Sequence, residues 1–460
     1  MELIDKNPLL ALKLTGEKKK CGKSHWKITG DGPVMVAYGV GDGSLYKQVQ
    51  GRILIWIASD LDDAHGFPKE AIKDKHVFCA FDEIEVIKTG LWKSVGKLLA
   101  WAVMDGLNDK GVRAQIEELK CGMELLLGRA GDFGLVEMRN VFENYGCGYD
   151  GTALFNHYAG VPAIICGAGP SLPKSLDLIK DAVVFAGGSA LGALLDAGIT
   201  PTFGAGCDPN PVAQQIIKGL ERDIPFFYTP GFSCELLKKV KGPKLQIQSQ
   251  GALALEQWFW EGSGLDLGWN VATMTTAISY ALGCDPIVFV GMDLAYTGGE
   301  TKAEGICDRE DLEKIESIDK HGNKVMTRRD LLMSAKWIEE FIKTHPDRTY
   351  IDATPDGLEL VGTQGLQSWS MKDVEMPCVS LSRPQEKIEQ MQESIKECKR
   401  LCTLLVDGYQ SEKFALWKLE LETEPFYRTH LKALWNLFQH VLPEEELHEW
   451  LFYKRVCDEA

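Results

Sequence analysis

The six residues Gly167-Ala168-Gly169-Pro170-Ser171-Leu172 are of the types that hold an anion on backbone amides. Without Cβ atoms, Gly167 and Gly169 permit a sharp turn and a close approach to the main chain. Pro170 has the φ of a first helical turn, where a missing N–H costs nothing. Ser171 adds a hydroxyl near the helix start, so the whole reads as a phosphate nest. A structural tight turn is an equal reading of the same residues. Further polar groups follow at Ser189, Asp208, Asn270, Asp293 and Tyr296. His321, beside Gly322-Asn323, reads from its surroundings as a solvated loop histidine. His157, in Phe155-Asn156-His157-Tyr158, reads as a packing or capping residue. Arg328 and Arg329 have the fork geometry for a phosphate or carboxylate, or else mark the exposed face of a helix. Trp258, Phe259 and Trp260 can stack a base or sugar, with core packing as the plainer reading.

The elements that must position these residues alternate between strand and helix. Val161-Pro162-Ala163-Ile164-Ile165-Cys166 is an apolar strand that runs into the glycine turn. Ala182-Val183-Val184-Phe185-Ala186 is the next and ends at Gly187-Gly188-Ser189. No acidic residue stands there to hold ribose hydroxyls, which argues against NAD. The following helix stops at Gly198, with Ile199 and Pro201 beyond. A strand near Thr202 to Cys207 leads to Asp208-Pro209. A helix of about Val271 to Leu282 precedes Ile287-Val288-Phe289-Val290, which delivers Gly291-Met292-Asp293-Leu294-Ala295-Tyr296. Ligands of open parallel sheets sit outside the carboxyl ends of strands, so one crevice is expected to receive the glycines, Ser189, Asp208 and Asp293.

An earlier block carries strands at Val34–Tyr38, Ile53–Ile57 and around His76-Val77-Phe78-Cys79. Its Gly39-Val40-Gly41-Asp42-Gly43, with Asp60 further on, has the look of a dinucleotide or S-adenosylmethionine fingerprint. No clearly periodic apolar helix follows it, and a structural or acceptor-docking domain is the better reading. After Pro384 there is only helical spacing: Ile388, Met391, Ile395, Cys398 and Leu405, then Leu431, Leu434, Trp435 and Phe438 beyond a break at Pro425. The expected fold is α/β: two doubly wound, Rossmann-like parallel-sheet domains followed by an α-helical C-terminal region. The expected boundaries are 1–150, 151–370 and 371–460. The stretch from Thr297 to Arg328, rich in Gly, Lys, Asp and Glu, reads as a long mobile lid or as plain disorder.

The glycine turn, the Gly198-Ile199-Thr200-Pro201 stop, Asp208 and Gly291-Met292-Asp293-Leu294-Ala295-Tyr296 resemble the motility accessory factor (Maf) glycosyltransferases. These are similar in turn to bacterial sialyltransferases. Trp269-Asn270-Val271 through Tyr296 is the most specific part. Thr349-Tyr350-Ile351-Asp352-Ala353-Thr354 with Gly357 resembles the family's closing strand and turn. The match covers roughly Gly151 to Gly365, and the flanking blocks agree with a three-part architecture. The resemblance implies transfer of a nonulosonic, sialic-acid-like sugar from a CMP-activated donor to a protein hydroxyl. It places Gly167, Ala168, Gly169, Pro170 and Ser171 at the nucleotide and phosphate, and Ser189, Asp208 and Asn270 around cytidine and ribose. Asp293 and Tyr296 fall near the donor sugar, with Asp293 and His321 as the catalytic candidates. No cofactor is required for that reaction.

The same core resembles archaeal 6-hydroxymethyl-dihydropterin pyrophosphokinases, which transfer diphosphate from ATP. In that case Asp208 and Asp293 would hold Mg²⁺ between phosphate oxygens. A catalytically silent nucleotide-binding or scaffold protein is a third reading. The sequence departs from the Maf pattern at Met292, often Gln there, at Glu300-Thr301-Lys302, and at Pro355-Asp356-Gly357.

Composition narrows the remaining classes. The 460 residues are 45% hydrophobic and 25% charged, which is ordinary for a globular protein. The net charge of −16 and the lack of a long basic cluster argue against a nucleic-acid partner. The uncharged run Leu267 to Cys284 contains Trp269, Asn270, Thr273 and Ser279, so a buried helix is expected there and not a membrane span. Thirteen scattered cysteines, with Cys398 and Cys402 one helical turn apart, and no leader at Met1-Glu2-Leu3 point to the cytoplasm.

Overall fold

The computed structural model describes residues 23–29, 34–49, 53–58, 61–64, 66–73, 77–81, 98–104, 134, 136–210, 217–250, 254–259, 264–297, 314–365, 385–432, 435 and 446–459. The chain divides into two compact units, Met1–Asp132 with Lys432–Phe452, and Phe133–Leu431 with Tyr453–Ala460. The helices expected to form a third domain therefore group with these two bodies. Trp260, Asp60, Leu434 and Phe438 lie outside the described residues.

Among the described residues the first unit is built on five strands: β1 (Trp26–Thr29), β2 (Val34–Tyr38), β3 (Ile53–Ala58), β4 (Val77–Phe81) and β5 (Leu98–Met104). Their order is β1-β5-β2-β3-β4, with β1 antiparallel to β5 and the other pairs parallel. Met35, Ala37, Leu54, Trp56 and Ala102 are buried together, and Phe67 meets the Trp56 ring edge-on at 5.5 Å.

Among the described residues the large sheet of the second unit holds eight strands, β6 (Tyr149–Asp150), β7 (Ala163–Cys166), β8 (Val183–Gly187), β9 (Phe203–Gly206), β10 (Phe226–Tyr228), β11 (Lys244–Gln246), β12 (Ile287–Val290) and β15 (Tyr350–Asp352). Their order is β15-β12-β7-β8-β9-β10-β11-β6, and every pairing is parallel. After β7 the chain advances to β11, then jumps back to the other side of β7 to place β12. The reversal makes β7 and β12 the topological switch point, where a parallel sheet opens its ligand crevice.

The strands are buried on both faces, as an all-parallel sheet requires. Ile165, Phe185, Phe203, Phe227 and Phe289 face the helices Val271–Ala281 and Arg329–Thr344 through Met274, Ile278 and Ile338. Ile164, Val184, Phe226 and Val288 face the other way, onto Leu191 and Leu194 of the helix Ser189–Asp196. Phe185, Phe203 and Phe227 form a ladder on one face, with centroids 5.2 and 5.1 Å apart at about one strand spacing. The expected glycine stop is present: Gly198 has φ 78° and Ile199 donates its N–H to Leu194.

Two antiparallel strands, β13 (Lys314–Ile318) and β14 (Lys324–Arg328), form a hairpin within the stretch read as a lid. The C-terminal helices Gln385–Asp407 and Phe414–Thr423 bury Ile388, Met391, Cys398, Leu405 and Leu421. No helix among the described residues is long and apolar enough to cross a membrane.

Candidate site at the switch point

The turns that leave β7 and β12 are pressed together. Gly167 donates its N–H to the Val290 carbonyl at 2.8 Å, and Gly169 donates to Gly291 at 2.9 Å. A Cβ on Gly167 would overlap the Gly291 carbonyl, and one on Gly169 would overlap the Asp293 carboxylate. Both glycines are thus required by contact between two turns of the chain itself. Asp293 completes the contact: its Oδ2 accepts from the Ser171 hydroxyl at 2.6 Å, and the Ser171 N–H lies 3.3 Å from both carboxylate oxygens. Ser171 and Asp293 are both fully buried. The nest expected to hold a ligand phosphate on Gly167, Gly169 and Ser171 therefore has its donors engaged by two carbonyls and an internal carboxylate. Ala168 and Pro170 are half-buried at the surface of the same turn.

Burial raises the pKa of Asp293, and the hydrogen bonds from the Ser171 hydroxyl and amide oppose that rise. Gly357, with φ 97°, closes over the Asp293 main chain, and Leu358 donates to the Asp293 carbonyl at 2.9 Å. The closing strand is β15, which pairs in parallel with β12.

The β13–β14 hairpin lies along this edge. Its base is held by Thr327 Oγ1 donating to Leu294 and by Tyr296 donating its N–H to Met326, both at 2.7 Å. Its tip is held by Lys320, whose Nζ reaches Asp352 at 2.5 Å and the Thr354 carbonyl at 2.7 Å. His321 brings Nε2 to the Pro355 carbonyl at 2.9 Å. A carbonyl only accepts, so the proton is on Nε2 and Nδ1 is the acceptor of the neutral ring. His321 Nε2 also stands 3.8 Å from Asp356 Oδ1, while Asp356 Oδ2 binds Lys174 Nζ at 2.7 Å. Lys174, His321 and Asp356 thus form one solvent-facing array beside the buried Ser171–Asp293 pair. The sequence offered Lys174 three residues after Ser171, and Asp352 and Asp356 in the closing strand and turn, but nothing local linked them.

The remaining candidates spread along the rim or into the structure. Ser189 opens the helix after β8 and is half-buried. Asp208, beyond β9, is exposed, and its carboxylate accepts from the Asn210 N–H in a local turn. Asn270 caps the Val271–Ala281 helix by accepting from Ala272 and Thr273, and its amide donates to Ser334 at 2.6 Å. That full capping box makes Asn270 the start signal of the helix, with its side-chain oxygen on the first-turn amides. Tyr296 is buried with Lys314 Nζ 4.2 Å above its ring. Arg328 is buried and grips Asp330 through two nitrogens, while Arg329 is exposed. His157 reaches the Phe155 carbonyl, a local contact. Phe259 packs in the core against Tyr145, with Trp258 edge-on to it. Cys398 and Cys402 are buried free thiols.

A magnesium ion shared by Asp208 and Asp293 does not fit this arrangement. They follow strands three positions apart, about 14 Å at ordinary strand spacing. Asp293 is moreover turned into the glycine turn. Among the described residues no group of three or more His, Cys, Asp and Glu side chains is placed to hold a metal.

The first unit repeats the internal closure. After β2, the N–H groups of Val40 and Gly41 both donate to the Asp63 carboxylate, at 2.8 and 2.6 Å. Gly41, at φ 54°, is held against Ser24 with no room for a Cβ. The amides of this loop are thus engaged within the unit itself.

Comparison with known proteins agrees with the resemblance read from the motifs. Residues 137–299 match the family model described as 6-hydroxymethylpterin diphosphokinase MptE-like. No curated protein matches the chain. Among solved structures, a Maf glycosyltransferase from Magnetospirillum magneticum AMB-1 matches with a TM-score of 0.56 and 15% identity, covering 94% of this chain and 79% of that one. The chain is similar to MptE-like proteins in its central domain, and to a Maf glycosyltransferase in its fold from the first sheet to the C-terminal helices.

Proposed function

We propose that the protein is a glycosyltransferase that transfers a nonulosonic sugar from a CMP-linked donor to a hydroxyl of a protein acceptor. The observation that carries this reading is the extent of the fold likeness, which takes in both sheets and the helical region and not the central block alone. The donor lies over the switch point, against Ala168, Pro170 and the start of the Ser189–Asp196 helix, with Ser189 and Asp208 toward the nucleoside and Tyr296 below the sugar. In the transfer step the acceptor oxygen bonds to the anomeric carbon as the bond from that carbon to the phosphate oxygen breaks. CMP leaves with the electron pair. The acceptor's proton passes to His321 Nδ1, which the Nε2–H bond to Pro355 keeps in the accepting tautomer. Asp293 touches no ligand in this scheme; it fixes the glycine turn on which the donor rests.

The match over residues 137–299 favours a second reading, diphosphate transfer from ATP to a pterin alcohol. The separation of Asp208 from Asp293 weighs against it. One paired assay tests both. Incubation with a CMP-activated nonulosonic acid and a hydroxyl-bearing protein acceptor is expected to release CMP in EDTA. Release of AMP from ATP, dependent on Mg²⁺ and a pterin alcohol, would replace the first reading with the second. Absence of both products, with nucleotide still bound, would identify a silent binding protein.

A further inference from the structure

The glycine turn that a phosphate would ordinarily occupy is closed from within, so the negative charge of the donor must be met elsewhere on the rim. Two observations converge on one place. Lys174 projects from the first turn after Ser171, with its side chain 63% exposed, beside the reversal of the sheet. Its Nζ lies on one oxygen of Asp356 while His321 approaches the other, so a single carboxylate sets the position of both. Lys320, the neighbouring cation on the hairpin tip, is committed to Asp352 and the Thr354 carbonyl and is largely covered.

Deepening the glycosyltransferase reading, on which it rests, we infer that Lys174 is the residue that recognises the anionic group of the donor, and that Asp356 is the positioning residue that aims it. The ligand chemistry is a phosphate or carboxylate oxygen brought within hydrogen-bond reach of Nζ. A nonulosonic donor carries both, on the nucleotide and on the sugar. Lys174 keeps its positive charge throughout, since Asp356 and Asp293 both favour the ammonium form. The ammonium rotates from Asp356 toward the incoming oxygen without leaving the carboxylate, as its three donors permit.

The test is calorimetric titration of the full chain and of Lys174→Gln, Asp356→Asn and the remote control Lys343→Gln. Four probes are used: CMP, cytidine, N-acetylneuraminate and inorganic pyrophosphate. A charge-assisted hydrogen bond corresponds to about a tenfold or greater change in affinity. Lys174→Gln is expected to weaken CMP by about that factor, while cytidine and the control are unchanged. A matching loss for N-acetylneuraminate but not for CMP would assign Lys174 to the sugar carboxylate; loss for CMP alone assigns it to the phosphate. Asp356→Asn is expected to weaken the same anion by a smaller factor and to leave cytidine alone. Equal affinity of every anion for wild type and Lys174→Gln would overturn the inference, as would failure of the wild type to bind any of the three anions. Pyrophosphate binding that depends on Lys174, without CMP binding, would uphold the inference and remove the glycosyltransferase reading.

Discussion

Asp293 is the residue on which the two turns of the switch point depend. Asp293→Ala leaves the Ser171 hydroxyl and amide without their acceptor in a buried place, and a loss of about 1–3 kcal/mol is expected in urea unfolding. Its titration gives a second measurement. Burial holds its folded pKa above the ordinary 3.8, so the stability linked to it is full below that value and declines as the pH climbs through the folded one. Stability of the wild type relative to Asp293→Asn is therefore expected to fall as the pH is raised from 3.8 toward neutrality; a rise would contradict the buried placement. His430 provides the opposite sign. It is buried, stacked on Phe426 at 5.3 Å, and burial lowers its pKa to about 3 from 6.5. The stability it contributes is full above 6.5 and is lost as the pH falls toward 3, a dependence that His430→Phe should abolish. The types and positions of Ser171 and Asp293 were legible in the sequence, but their pairing was not. They lie 122 residues apart, and only the return of the chain to the far side of β7 brings them together.

Turns and caps carry the next level of organisation. Gly198 has φ 78° with open space where a Cβ would stand, so Gly198→Ala is expected to cost only the backbone strain, about 1 kcal/mol. At Gly169 the added carbon would meet the Asp293 carboxylate, and Gly169→Ala should cost more than Gly198→Ala in the same unfolding measurement, with loss of ligand binding. An equal cost would mean that the two turns are not in contact. Val161–Cys166, Ala182–Ala186 and Ile287–Val290 were readable because they are short apolar runs followed by glycine, and the Val271–Ala281 helix because its polar residues recur within an apolar stretch; Tyr149–Asp150, Phe226–Tyr228 and Lys244–Gln246, only two or three residues each, left no such signal. In the first unit, Trp26–Thr29 and Leu98–Met104 gave no comparable signal; Leu98-Leu99-Ala100-Trp101-Ala102 is as apolar as a buried helix. The hairpin Lys314–Arg328 was hidden by its charge. Its alternating exposure, with Gly322 at φ 84° in the turn, is the pattern that a half-covered ribbon writes in a polar stretch.

At the scale of the whole chain, two Rossmann-like sheets each place a glycine turn after a central strand, and each turn is filled by an aspartate of its own unit. Sequence fingerprints cannot distinguish such a turn from one awaiting a phosphate, because the glycines serve both. Asp63 closes the first unit's turn as Asp293 closes the second's, so neither turn is expected to take a phosphate directly, and the proposed reading places one nucleotide per chain, at the rim of the second unit beside Lys174. A stoichiometry of two would refute that assignment. The fold likeness spans both units, and the proposed function places transfer chemistry at the rim of the second. The most direct measurement of it is CMP release from a CMP-activated nonulosonic acid by the full chain in EDTA, with and without a hydroxyl-bearing protein acceptor. The account predicts CMP release that requires the acceptor and is abolished by His321→Ala. AMP release from ATP in its place, or CMP release that His321→Ala leaves untouched, would contradict it.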